Sequence, residues 1–159
     1  MDVRDTILAE LEVSRRIVGN GHEVVPRFTI FAPDGTHAVT AQLPNDPLER
    51  VKRLQVVRTF MVWKAARSFV MANELVGPEA ISVIAVTKSD VIGVMQRINR
   101  EPLGFDPPVW FDRENVGDEV VALLPPKELV VTQEELAFMR QAFQEGSAPG
   151  ITWRRHGED

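Results

Sequence analysis

Glu74 is the acid whose surroundings invite chemistry. It stands beside Asn73 inside an apolar run, Ser68–Val76, where a carboxylate is costly to bury unless something pairs with it. Two readings follow. As a functional group, Glu74 would be a general acid or base, or a ligand contact, with Asn73 and Arg97 as polar neighbours in a cleft beside a sheet. As a structural group, it would be a strand-end acid paired with Arg97 or Arg100 on a neighbouring strand. The structural reading is the one we expect. Arg97 and Arg100, with Gln96, Asn99 and Trp110, form a small polar patch that would suit an anion or a nucleic-acid phosphate. Without aromatics interleaved on a basic face, a solvated strand end is the simpler expectation.

Other chemistries lack their parts. His22, His37 and His156 fall in a loop, at a hairpin and near the end of the sequence, and no two stand at metal-ligand spacing. They read as solvated turn histidines, and no metal or cofactor is expected. Ser82, His37 and Asp90 can be set out as a nucleophile, base and acid, but any chain of this size allows such a choice, and no G-x-S-x-G elbow supports it. Gly19-Asn20-Gly21 follows a helix rather than a strand, the wrong context for a dinucleotide fingerprint. Trp63 and Trp153 read as core and docking residues.

These residues must be positioned by a single domain of 159 residues. A chain of this length buries roughly 70% of its unfolded surface without a staple. It has no Cys, in keeping with a reducing compartment, and a net charge of -5, which argues against phosphate binding. The N-terminus lacks the apolar core of a signal peptide. No apolar run reaches the roughly 20 residues that a bilayer span needs. A cytoplasmic protein without membrane contact is expected.

The periodicity predicts a long helix over Asp46–Arg67, with Asp46 as cap, Pro47 at its first position and Glu49 three residues after the cap. Its stripe is Leu48, Val51, Leu54, Val57, Met61 and Ala65, widened in the later turns by Val56, Phe60 and Trp63. Strands follow at Ser68–Val76 and Ala80–Thr87. The second is apolar on both faces apart from Ser82, as in a central strand covered on both sides. A first helix is expected over about residues 3–18, a hairpin over Val24–Ala32 and His37–Leu43 around Pro33-Asp34-Gly35, and a strand at Val91–Asn99. Glu101–Pro108 reads as a loop, Val109–Phe111 as a short edge strand or plug, and Val120–Leu124 as a final strand. Thr132 and Glu135 cap a last helix that ends at Gly146. The fold class is α+β: a mainly antiparallel sheet of about five or six strands, packed by the long central helix, with N- and C-terminal helices. Residues 1–146 form the domain and 147–159 a tail.

The run Ala65–Glu74, after a Pro-Asp-Gly hairpin and a long helix, resembles a pattern in small uncharacterised α+β proteins of bacteria and phages. The similarity spans Phe28 to Arg100, with Leu75 where that pattern has an aromatic. It implies the layout and no activity. The expected function is a non-catalytic binding or assembly module, a homodimer whose sheet or terminal helices bury apolar surface against a partner. The two apolar faces of Ala80–Val86 call for a cover that is either the terminal helices or another copy of the chain. The alternative is a small-molecule enzyme that uses Glu74.

Overall fold

The computed structural model of the chain describes residues 2–126, 129–146 and 150–155. In chain order it contains α1 (Val3–Gly19), β1 (Arg27–Ala32), β2 (Gly35–Ala41), α2 (Pro47–Trp63), β3 (Ser68–Val76), β4 (Glu79–Val86), β5 (Val91–Arg100), β6 (Leu103–Phe105), β7 (Val109–Asp112), a 3-10 turn (Arg113–Asn115), α3 (Asp118–Val121), α4 (Gln133–Gly146) and β8 (Ile151–Arg155). The strands form one antiparallel sheet in the order β6-β5-β4-β3-β1-β2-β8, and β7 pairs with the first half of β5. The protein is α+β, and its sheet is larger than expected, with eight strands among the described residues.

Period-2 alternation assigns the two faces. Val70, Ala72, Ile81, Val83 and Ala85 point to one side, where Ile7, Leu11 and Val18 of α1 cover them. Phe28, Ile30, Val39, Phe69, Met71 and Val86 point to the other, under Leu54, Val57, Phe60 and Met61 of α2 and Phe143 of α4. Each large side chain so buried contributes about 1.5–3 kcal/mol. The helices therefore hold the sheet more through these stripes than through their caps. The strand β4 lies inside the sheet with both faces buried, and its own chain supplies the cover on each.

The helix α2 starts as expected, with the Asp46 carboxylate accepting from the Glu49 amide at 3.1 Å. It ends at Trp63, well short of Arg67. Ala65 takes φ 53°, the left-handed region. The Ala66 amide donates to the Met61 carbonyl at 2.9 Å and the Ala65 amide to the Val62 carbonyl at 3.1 Å. This is a Schellman stop with alanine where glycine is usual, so no glycine marks it in the sequence. An alanine there costs about 1–2 kcal/mol. Ala65→Gly is therefore expected to raise the unfolding free energy by about 1 kcal/mol, seen as a higher denaturant midpoint with an unchanged slope. Within α2 the stripe is buried only from its third member on. Leu48 and Val51 are exposed, whereas Leu54, Val57, Phe60 and Met61 are buried as read and Val62 joins them, because α2 meets the sheet with its C-terminal half and packs beside α4.

Three further expectations are corrected. Val120–Leu124 is not a strand: Asp118–Val121 is a helical turn after Gly117, and its spacing sends Val120 and Leu123 together into the core. The stretch Glu101–Pro108 contains β6, which folds back on the end of β5. Within the expected tail, Ile151–Arg155 forms β8 on the edge of β2, from Ala41↔Ile151 to His37↔Arg155; residues 147–149 and 156–159, with His156, lie outside the described residues. The cap of α4 is as read: the Thr132 hydroxyl accepts from the Glu135 amide at 3.1 Å, and the Glu135 carboxylate accepts from the Thr132 amide at 3.4 Å.

Candidate functional site

The residues singled out from the sequence are divided between the two faces of the sheet. Glu74 lies on the α1 side, on the same face of β3 as Val70 and Ala72. One carboxylate oxygen accepts from the Val24 amide at 3.2 Å and the other from Arg100 Nη2, also at 3.2 Å. Arg100 in turn reaches Glu79 at 3.3 Å through Nε. Glu74 thus ties the segment before β1 and the end of β5 to β3, and Arg100 is occupied by two acids. Arg97 is exposed near the end of β5, opposite Ala80. Asn73 points to the opposite face from Glu74, so the two neighbours in sequence do not share a site.

His37 is not a solvated turn residue. It is fully buried, because β8 closes over the β1–β2 hairpin. The Trp153 indole N–H donates to its Nδ1 at 3.1 Å, and its Nε2 lies 2.7 Å from Asp34 Oδ1. An indole nitrogen only donates. Nδ1 must therefore accept, which leaves the proton on Nε2 for Asp34. The second imidazole nitrogen is taken by tryptophan rather than by a nucleophile, and β1 and β3 separate β2 from the strand that carries Ser82. The arrangement is a clasp for β8. Lys64 completes it, donating to Asp34 Oδ2 at 3.1 Å and lying over the Trp63 ring at 4.1 Å.

Burial alone would raise the Asp34 carboxyl, but hydrogen bonds from His37 and Lys64 outweigh it and hold the group below the ordinary aspartate range. A carboxylate lowered on folding adds stability that is complete above its unfolded value and fades as pH falls through the folded one. The window opens at about pH 4 and extends downward. Asp34→Asn keeps an acceptor for His37 and loses the charge facing Lys64. It is expected to cost under about 1 kcal/mol at neutral pH, since Asp34 is partly exposed. Stability should also fall less steeply with acid than in the parent, as urea unfolding across that window would show.

On the α2 and α3 side, a cleft of about 560 Å³ opens against the sheet. Its floor comes from directly opposed residues. One row runs Asn73, Ser82, Met95, Val109, and the next Met71, Ile84, Gly93, Phe111. Its roof includes Arg50 of α2 with Gly117, Glu119 and Val120 around α3. Arg50 and Glu119 face each other at 3.7 Å. Gly93 shapes the floor: a Cβ there would collide with the Phe111 ring and lie 3.1 Å from the Val83 carbonyl, so only glycine lets the ring settle onto the strand.

Ser82 is buried to 5% exposure, yet among the described residues no partner accepts from or donates to its hydroxyl, and the same holds for the Asn73 carboxamide. Both line the cleft. Among the described residues no buried side-chain nitrogen or oxygen lacks a partner, so the Ser82 hydroxyl and the half-buried Asn73 carboxamide face the open space of the cleft rather than being sealed inside the sheet. Ser82, Met95, Arg50 and Glu119 were not read as site residues from the sequence. For Ser82 a signal existed: the hairpin around Gly77-Pro78 sets it opposite Asn73. Arg50 and Glu119 carry none, because only the tertiary fold brings α2 to α3.

A second groove, between the end of α2 and residues 129–136, is lined by Val62, Ala66, Leu129, Val131 and Leu136. Lys88 at its edge is already committed, donating to the Pro125 carbonyl at 2.6 Å. No family model, curated protein or solved structure matches the chain. Among the described residues no group of three or more His, Cys, Asp or Glu could hold a metal ion, and no helix is long and apolar enough to cross a membrane.

Proposed function

We propose that the chain is a non-catalytic binding module whose site is the cleft between the sheet and α3. The observation that carries this is the Asn73–Ser82 pair, two polar side chains side by side on the floor of a cleft of mixed polarity, bonded to no other described residue. Sites of this kind, of comparable volume and with few polar groups among apolar walls, are how small molecules are held. The enzyme alternative based on Glu74 has less behind it, since that carboxylate already accepts from Val24 and Arg100 and points away from the cleft.

A homodimer and a cytoplasmic setting remain proposals of their own. Lack of cysteine and a net charge of -5 favour a reducing compartment and disfavour a nucleic-acid partner. The apolar faces of β4 no longer call for a second copy, because α1 and the α2 layer cover them; light scattering at high concentration tests the dimer.

The Ser82 hydroxyl bonds to no other described residue, so removing it strands no partner. Ser82→Ala is therefore expected to leave stability unchanged or to raise it by up to about 1 kcal/mol. The same change should abolish the thermal shift that any cleft ligand produces. Were Ser82→Ala instead to destabilise the protein by about 1–3 kcal/mol, the hydroxyl would be structural and the reading would fall.

A further inference from the structure

We infer that the ligand of this cleft is uncharged and flat, a ring bearing a carboxamide or a cyclic amide edge. This rests on the cleft being the binding site, as proposed above.

Charge is decided by what the cleft already satisfies. Its two ionised side chains, Arg50 and Glu119, face each other at 3.7 Å. The floor offers a neutral carboxamide and a neutral hydroxyl. The Arg50–Glu119 pair is partly exposed, at 34% and 51% for the two side chains, and carries one charge of each sign. An ionic ligand therefore gives up hydration without a net countercharge in the lining, whereas a neutral one gains from the floor. A primary or cyclic amide places a donor beside an acceptor. Asn73 and Ser82 can each donate and accept, and their opposed positions on β3 and β4 present both groups to one edge of such a ligand.

Flatness is decided by the floor. Gly93 contributes no side chain, so the Phe111 ring settles against the strand and extends the floor. The thioethers of Met71 and Met95 stand in the same two rows. Methionine sulfur and aromatic edges favour contact with a ring.

A series of one shape and varied charge tests this: benzamide, benzoate and benzamidine, with cyclohexanecarboxamide as the puckered neutral control. The readout is the methyl signals of Met71 and Met95, assigned by Met→Leu substitution, titrated to millimolar probe. Benzamide is expected to shift both signals saturably and to bind about tenfold or more tighter than the other three. Asn73→Val and, independently, Ser82→Ala should each weaken benzamide binding by about tenfold while the amide spectrum shows a folded chain. Equal binding of benzoate or benzamidine would overturn the charge assignment and leave the cleft standing as a site. Equal binding of cyclohexanecarboxamide would overturn flatness alone. If no probe moves either methyl, the cleft itself is not the site and the inference goes with it.

Discussion

Phe60→Ala is expected to cost about 3–5 kcal/mol, a large share of the roughly 5–15 kcal/mol that holds a domain of this kind folded. Phe60 is fully buried. Its ring centroid lies 5.5 Å from His37, 5.6 Å from Trp63, 4.9 Å from Phe143 and 5.4 Å from Trp153. These belong to β2, α2, α4 and β8, so one ring joins four elements. Truncation would leave a cavity in a cluster whose other rings are fixed by their own backbones and can only partly collapse into it. Guanidinium unfolding gives the loss directly, and the emission of Trp63 and Trp153 should shift to the red. Phe138→Ala on the outer face of α4, where the side chain is 68% exposed, should change stability by less than about 0.5 kcal/mol. Similar losses for both substitutions would mean that the cluster does not hold α4 and β8.

Gly93→Ala is the second large effect, and its sign is informative. Alanine inside a strand normally gains about 0.5–1 kcal/mol over glycine. Here its methyl would enter the Phe111 ring and press on the Val83 carbonyl, and overpacking of this kind costs about 1–3 kcal/mol. The ring must lift and take β7 with it, which also disturbs the floor of the cleft. Phe111→Ala in the same molecule removes the obstacle. The double variant should thus be more stable than the sum of the single changes implies, by about 1 kcal/mol or more. Strict additivity would show that ring and glycine are not in contact.

Local rules carried much of the fold. The strand Ser68–Val76 has the limits that its period and the Gly77-Pro78 turn imply, and β4 is covered on both faces as its composition requires. Both capped helix starts hold, at Asp46 and Thr132. What escaped is non-local or breaks a local rule. The stop at Ala65 lacks the customary glycine. Val120 and Leu123 suit a strand or a helical turn equally, and Gly117 with two acids after it tips the balance. The strand β8 has no strand beside it in sequence; its pairing with β2 is made only by the folded sheet. The same holds for the candidate site. Glu74 drew attention as an acid among apolar residues and turns out to be tied down on the α1 face. Asn73, treated as its companion, lies on the other face with Ser82. Alternation along β3 already separated the two, and the hairpin register already joined Asn73 to Ser82. The charged pair above them depends on where α2 comes to rest over the sheet.

Trp153 meets His37 across 116 residues of chain. On a ribosome, β1, β2 and α2 emerge long before β8 exists, since synthesis runs from the N-terminus at a finite pace. Until Trp153 has been added and has cleared the exit tunnel, the imidazole lacks its indole donor and the aromatic face of α2 stands bare. Growth of the chain from β2 to β8 thus carries a sticky half-made surface, which disappears only when the closing strand arrives.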